Sequence, residues 1–416
     1  MTSSSNQTPK PILVRKYGGS SLASVDRIKS IANDIHTKHS SGFRLVIVVS
    51  AMGQTTNELA ALANEVSPTP SRRELDMLLS VGERITMSLL SMALDDLGCP
   101  SISFTGSQCG VITDSSHTEA EIIEVKGDRV REALNKDQVV VVAGFQGVSL
   151  EKEITTLGRG GSDLTAVALA AALGADRCEI LKDVDGVFTA DPNQVSTANL
   201  HDTLSYEELE QIAGTGCGVV HSRAVNHARK HSVQLFVGSS FHNSSGTIIS
   251  PANFKSETTN CPENTPYKPL AITLTDGISL LECTIQNQGN SSELLDKFSS
   301  CIQCNVPLQE WVDFDSNHIS WNLLADASVL ETINDKISDL LIKEGVHHTH
   351  SSELSCLSLA GRPPLNWVDT SRKIITIIED NDIADYRIIC SDTNLRILLN
   401  PAEAVTMLPI IHDNFF

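Results

Sequence analysis

Residues 12–22, ILVRKYGGSSL, set a short, mostly apolar run against a glycine pair and two hydroxyls. ILVRKY at 12–17 reads as a β-strand, and the glycines after it permit the tight reversal that carries a strand into a helix. That helix is legible in SVDRIKSIANDIHT at 24–37, where Val25, Ile28, Ile31, Ala32 and Ile35 recur at helical spacing. RLVIVVS at 44–50 is apolar almost without interruption, as suits a strand covered on both faces of its sheet. Strand, turn, helix and strand in that order are the repeating unit of a largely parallel α/β sheet.

The pattern continues outward. Two helical stretches run from about 56 to 97, VVVVAGF at 139–145 is another buried strand, and LTAVALAAALGA at 164–175 is a helix of small residues. CEILK at 178–182 leads to a strand end, and HSRAVNHARKH followed by VQLFVG completes a further helix–strand step. At 250–269, SPANFKSETTNCPENTPYKP, periodicity stops and Pro, Ser, Thr and Asn accumulate, which marks a linker. Beyond it LAITLTD, ISLLECTI and HISWNLL read as strands, with helices around 292–303 and 328–344. LSCLSLAG, ADYRIIC and LRILLN form a second set, with helices at 367–380 and from Pro401. Two consecutive βαββαβ units of about 70 residues each fit this order. The expected division is a disordered tail at 1–10, a catalytic domain at 11–250, a linker at 251–266 and a paired regulatory unit at 267–416.

Composition excludes several classes. A net charge of −20 opposes nonspecific nucleic-acid binding, which needs cations to neutralise phosphates. No unbroken run of about 18 apolar residues suggests a membrane span. MTSSSNQTPK at 1–10 lacks both an apolar signal core and the arginines of a transit peptide, so a cytoplasmic location is expected. Of ten cysteines only Cys301 and Cys304 stand at Cys-x-x-Cys spacing, which points to reduced, packed thiols and no metal site. His347, His348 and His350 read as an exposed polar loop.

Five segments can carry chemistry. After the first strand, Lys16 stands at a strand's carboxyl end, where α/β proteins bind ligands, and Gly18, Gly19 and Ser20 let backbone N–H groups approach an anion; a plain glycine turn with a solvated lysine is the alternative. GRGGSD at 158–163 opens a helix: Arg159 can clamp a carboxylate through two parallel hydrogen bonds, while Ser162 and Asp163 also suit simple N-caps. KDVDGVFTADP at 182–192 is a structured loop with two carboxylates and an Asp-Gly turn, or a hairpin. SAMGQTT at 50–56 offers hydroxyls to a polar ligand, and GER at 82–84 places a charge pair in a helical stretch. No Gly-x-x-x-x-Gly-Lys-[Ser/Thr] is present, so a Walker-type loop is excluded.

In order, VRKYGGSSL, VVSAMGQTTNEL, GERIT, SFTGSQCGVITD, VVAGFQG, TLGRGGSDLTA, DVDGVFTADP and the GT-x-x-G-x-x-H segment near 214–221 resemble the aspartate kinases of the amino-acid kinase family, collinearly over about 11–250. The resemblance implies an open αβα sandwich followed by a C-terminal pair of ferredoxin-like (ACT) units. It implies MgATP and L-aspartate as substrates and a homodimer formed through the ACT-like units. Lys16 would stabilise the transferring phosphoryl group and Asp163 would hold catalytic groups in place. Glu83, Arg159 and Ser162, with Ser50 and Thr55 nearby, would hold aspartate. Lys182, Asp183, Asp185, Phe188 and Asp191 would lie along the nucleotide. The physics is compatible: phosphoryl transfer needs in-line placement and charge neutralisation, and a side-chain carboxylate is already ionised at neutral pH.

The sequence departs from the family pattern at three positions. Gly218 stands where a phosphate-touching lysine is usual, three residues before His221; Lys182 replaces a smaller polar residue; Gln54 replaces a lysine. Lys182 could cover part of the missing charge. The tail resembles the family mainly in element order and in its end, LNPAEAVTMLPIIHDNFF, and GRPPLNW puts two prolines, which lack N–H donors, where an amino-acid effector would need them, so weak or no response to lysine and threonine is expected. Two other readings stay open: a same-fold kinase acting on a carboxylate such as N-acetylglutamate, and a degenerate kinase that senses an amino acid or regulates a partner subunit.

Overall fold

The computed structural model describes residues 10–251, 269–286, 296, 309–314, 318–343, 346–361, 367–391 and 394–416. The expected tail up to residue 9, nearly all of the linker, most of the helix expected near 292–303, the Cys301–Cys304 pair and the proline-bearing part of GRPPLNW lie outside these residues. The chain falls into two units, Met1–Phe188 with Asn199–Thr265, and Thr189–Ala198 with Pro266–Phe416.

The first unit is built on an eight-stranded sheet in the order Thr203–Ser205, Thr247–Ser250, Leu235–Ser239, Arg177–Lys182, Ile12–Tyr17, Arg44–Val49, Val139–Ala143, Ser101–Phe104. Its pairings are parallel except Leu235–Ser239 with Thr247–Ser250. The two-residue period of the strands divides their side chains between two helical layers. Leu13, Tyr17, Leu45, Ile47, Val49 and Val141 pack with Ile28, Ile31 and Ile35 of Val25–Ser40 and with Leu90 and Leu94 of Val81–Asp96. Val14 and Lys16 therefore point to the other face, that of Gly161–Leu173, a helix buried nearly all round, as its run of alanine, valine and leucine requires. Arg15 interrupts the apolar face: its guanidinium bonds Glu179 at 2.8 Å and Asp34 at 2.6 Å, and Tyr17 donates to the same Asp34 oxygen. This charged rung fixes the strand one residue before Lys16.

A second, four-stranded sheet, Ile122–Val125, Val111–Thr113, Gln146–Ser149 and Ile154–Thr156, was not expected; strands of three or four residues are too short to show a period. The helical stretch Arg72–Asp96 is long and apolar enough to cross a membrane by length and composition alone, although it holds no unbroken apolar run of about 18 residues. Its Met87, Leu90 and Leu94 are buried against the sheet and Glu83 is buried within it, the packing of a core helix.

The second unit holds a six-stranded antiparallel sheet ordered Gln309–Phe314, His318–Asp326, Ala271–Gln286, His347–Ala360, Asn394–Leu399, Arg387–Cys390. LAITLTD and ISLLECTI, expected as separate strands, are one strand of 16 residues; the register shifts between Thr275 and Ile278, where Gly277 takes φ +70°. The two βαββαβ units are consequently interleaved, not consecutive. Residues 278–286, 309–314, 318–326 and 347–351 give one 2-3-1-4 strand order, and 354–360, 387–390, 394–399 and 271–275 give another, whose fourth strand comes from the start of the segment. Thr189–Ala198, expected in the catalytic domain, contributes Ala190 and Val195 to the core formed by Leu357, Leu359, Ile374, Ile378, Met407 and Ile411.

Candidate active site

The chemistry-bearing residues of the first unit gather where parallel strands end and helices begin. Lys16 is the penultimate residue of its strand, and Asp163 lies in the first turn of Gly161–Leu173 on the face to which Lys16 points. Lys16 Nζ stands 2.7 Å from Asp163 Oδ1, with both side chains buried. Lys182, the last residue of the adjoining strand Arg177–Lys182, brings its Nζ to 3.5 Å from Asp163 Oδ2 and donates to the Gly218 carbonyl at 3.0 Å. One carboxylate thus holds two ammonium groups. Burial alone would raise the Asp163 carboxyl, but Lys16 and Lys182 hold it below the usual carboxylate range. Burial, opposed by Asp163, pushes the Lys182 ammonium down. Two ammonium groups against one carboxylate leave the triad with a net positive charge.

Glu83 sits in the first turn of Val81–Asp96 and is 3% exposed. Its Oε1 accepts the Ala51 N–H at 3.1 Å, while its buried Oε2 has no hydrogen-bond partner among the described residues. The close approach depends on Gly82, where a Cβ would come within 2.7 Å of the Ala51 methyl. Burial pushes the Glu83 carboxyl up to about 7, against the lowering by its backbone donors and Lys16. A half-satisfied buried carboxylate is costly unless a cation arrives to pair with it. Arg159 is exposed, and no hydrogen bond or ion pair engages its guanidinium among the described residues. Ser162 is buried beside it in the helix start, Ser50 follows the strand Arg44–Val49, and Thr55 opens the next helix, its hydroxyl donating to the Met52 carbonyl.

Some expected groups are placed otherwise. The Gly18 N–H donates to the Leu181 carbonyl at 3.2 Å, so this amide is engaged within the sheet and not turned to an anion. Gly19 and the exposed Ser20 follow it in a short 3-10 turn. Asp183 is exposed, Asp185 lies 3.2 Å from the His242 ring, and Phe188 pairs with Leu200 in an isolated bridge. Asp191 belongs to the second unit, where its carboxylate accepts from the backbone and side chain of Asn193; an Asp followed by Pro and Asn closes a local turn readily, and that turn takes the side chain. Sequence reasoning missed Asp76, which is fully buried and surrounded by donors, and Arg223, which donates to the carbonyls of Leu157 and Ala120 beside the Arg159 loop. Neither lies in a glycine motif, and nothing local in the sequence marks a long-range contact.

Comparison with known proteins adds an independent line. The pattern of the amino acid kinase family matches residues 11–239. The chain is 53% identical to the aspartokinase of Mycolicibacterium smegmatis over 239 residues, a match spanning 57% of this chain and 57% of that relative's length. It is 35% identical to the aspartokinase of Bacillus sp. strain MGA3 over 414 residues, 97% of each chain. In fold it is similar to E. coli aspartokinase III solved with aspartate and ADP, with a TM-score of 0.79 at 23% identity, covering 97% of this chain and 100% of that one.

Proposed function

Since the chain belongs to the amino acid kinase family, and within it to the aspartokinases, we propose that it transfers the γ-phosphoryl group of ATP to the side-chain carboxylate of L-aspartate. A carboxylate oxygen attacks the γ-phosphorus, the bond to the bridging oxygen of ADP breaks, and 4-phospho-L-aspartate and ADP leave. The observation that carries this reading is Glu83, a buried carboxylate with one oxygen unpartnered. It suits an α-ammonium group, and Arg159 suits the α-carboxylate, which leaves the side-chain carboxylate as nucleophile. An acetylated amine brings no charge to Glu83, which disfavours N-acetylglutamate.

Lys16 and Lys182, held by Asp163, meet charge on the phosphates and on the transferring group. Magnesium enters with ATP as part of the substrate, carried by phosphate oxygens. Asp183, Asp185 and Phe188 are read as lying along the nucleotide, and Ser50, Thr55 and Ser162 as lying on the aspartate side. The reaction belongs to the cytoplasm, and it opens either the route to lysine, threonine and methionine or a dedicated secondary pathway. The second unit, with its ferredoxin-like strand orders, is read as an ACT pair that joins two copies of the chain. A coupled assay of ADP release across a panel of amino acids tests the function.

Two further outcomes follow. Arg159→Lys keeps the charge and loses the planar fork. The KM for aspartate should rise more than that for ATP; the reverse would move Arg159 to the nucleotide site. Gly218→Lys should tighten ATP binding by about tenfold or less, because a charge-assisted bond of roughly 1.5–3 kcal/mol is offset by side-chain ordering. Position 218 is exposed and a Cβ there meets nothing within 4 Å, so the variant should fold. Lys182 already bonds the Gly218 carbonyl, so the gain should be larger in a Lys182→Ala background. Unchanged ATP affinity in both backgrounds would show that position 218 does not face the phosphates.

A further inference from the structure

Asp76 lies in Arg72–Leu79, outside every segment assigned a role above, and is fully buried. Burying an ionised carboxylate is unfavourable unless donors replace its water. Here they do: Thr156 Oγ1 donates at 2.5 Å, the Thr118 N–H at 3.0 and 3.2 Å to the two oxygens, and His117 Nδ1 stands at 2.7 Å. Thr118 is β-branched yet takes φ +73°, a conformation that such residues adopt only where their surroundings impose it. The Thr118 carbonyl oxygen lies against Gly158, 3.1 Å from where a Cβ would stand. Thr156 is two residues before Gly158, and its carbonyl accepts the Ala120 N–H at 2.9 Å. The same helical stretch that carries Asp76 continues into the turn that carries Glu83.

We propose that Asp76 is a positioning residue that fixes the spacing between Glu83 and the Arg159 loop by holding the strained His117–Thr118 turn against Gly158. The inference rests on the assignment of Glu83 and Arg159 to the two ends of aspartate. Asp76 touches neither substrate. It bonds the turn that lies against Gly158 and the strand end that leads to Arg159, and it sits seven residues before Glu83, with only Ser80 between the two helices that carry them. Release of the turn shifts one end of the clamp relative to the other and leaves the Lys16–Asp163–Lys182 triad alone.

The test is a steady-state comparison of full-length variants, with both substrates varied. Asp76→Asn keeps the shape but cannot accept on both arms; it should raise the aspartate KM by about ten- to a hundredfold while the MgATP KM and kcat stay within about threefold. Glycine adopts a positive φ without being held, so in a Thr118→Gly background Asp76→Asn should shift the aspartate KM by less than about threefold. Should Asp76→Asn fail to fold, Thr156→Val, which removes one donor without stranding the acid, should show the same split in smaller measure. An aspartate KM within about twofold of the parent, an equal rise in both KM values, or no restoration by Thr118→Gly would overturn the positioning role. A parent that releases no ADP with aspartate would strike the proposed function, whereas an active parent with an unsplit variant strikes this inference alone.

Discussion

Lys16→Ala should leave the fold intact and cut turnover about 100- to 1,000-fold, the effect of removing one preorganised electrostatic donor, worth roughly 2.7–4 kcal/mol. The fold should tolerate the change because Asp163 keeps Lys182 as a partner, so no buried charge is left bare. The rung of Arg15, Glu179 and Asp34 still fixes the strand. Circular dichroism and the melting temperature check the first half, and kcat at saturating substrates checks the second. Turnover within about threefold of the parent would remove Lys16 as the catalytic cation.

Glu83→Gln should raise the aspartate KM by about 30-fold or more, since truncating one partner of a buried charge pair costs roughly 2–5 kcal/mol. It should leave the ATP KM nearly untouched. The carboxyl stands at about 7 in the free site because burial disfavours its charge. Only the ionised form pairs with an ammonium, so the parent's aspartate KM should rise about tenfold from pH 8 to pH 6 and flatten above pH 8. The glutamine variant should show no such slope. Stability runs the opposite way. A carboxyl whose folded pKa lies above its unfolded value keeps its proton longer in the folded state, so stability is lost as pH rises from about 4.5 through about 7. Above that window the glutamine variant should melt at a higher temperature than the parent, and below it the difference should shrink. A flat parental profile from pH 6 to pH 8 would mean that Glu83 does not meet the substrate's ammonium group.

The alternation of apolar strands with helical stretches was enough to read the α/β class, because a strand covered on both faces must be apolar throughout, as Leu45–Val49 is. The glycine segments located Lys16 and Asp163, which the structure brings to 2.7 Å. Four things were not legible. The short strands around Val111–Thr113 and Ile154–Thr156 carry no period. The departure of Thr189–Ala198 to the second unit depends on Ala190 and Val195 finding a core drawn largely from the segment between Leu357 and Ile411, and on Thr189 and Thr197 bonding the buried His412 ring at 2.9 and 3.2 Å. The fusion of Ala271–Thr275 with 278–286 into one strand turns on Asp276–Gly277, which by itself signals a turn. Asp76 was invisible for a similar reason: its donors come from residues 117, 118 and 156, and no local pattern announces that meeting.

The measurement that tests the central claim most directly is ADP release by the full-length protein with MgATP and a panel of L-aspartate, L-glutamate, N-acetyl-L-glutamate, L-lysine and L-threonine, with hydroxylamine present to trap any acyl phosphate as its hydroxamate. The account expects ADP and hydroxamate in equal amounts with aspartate and neither with the others. ADP release that prefers N-acetylglutamate, or no ADP release with any amino acid from a folded protein that still binds one of them, would contradict it.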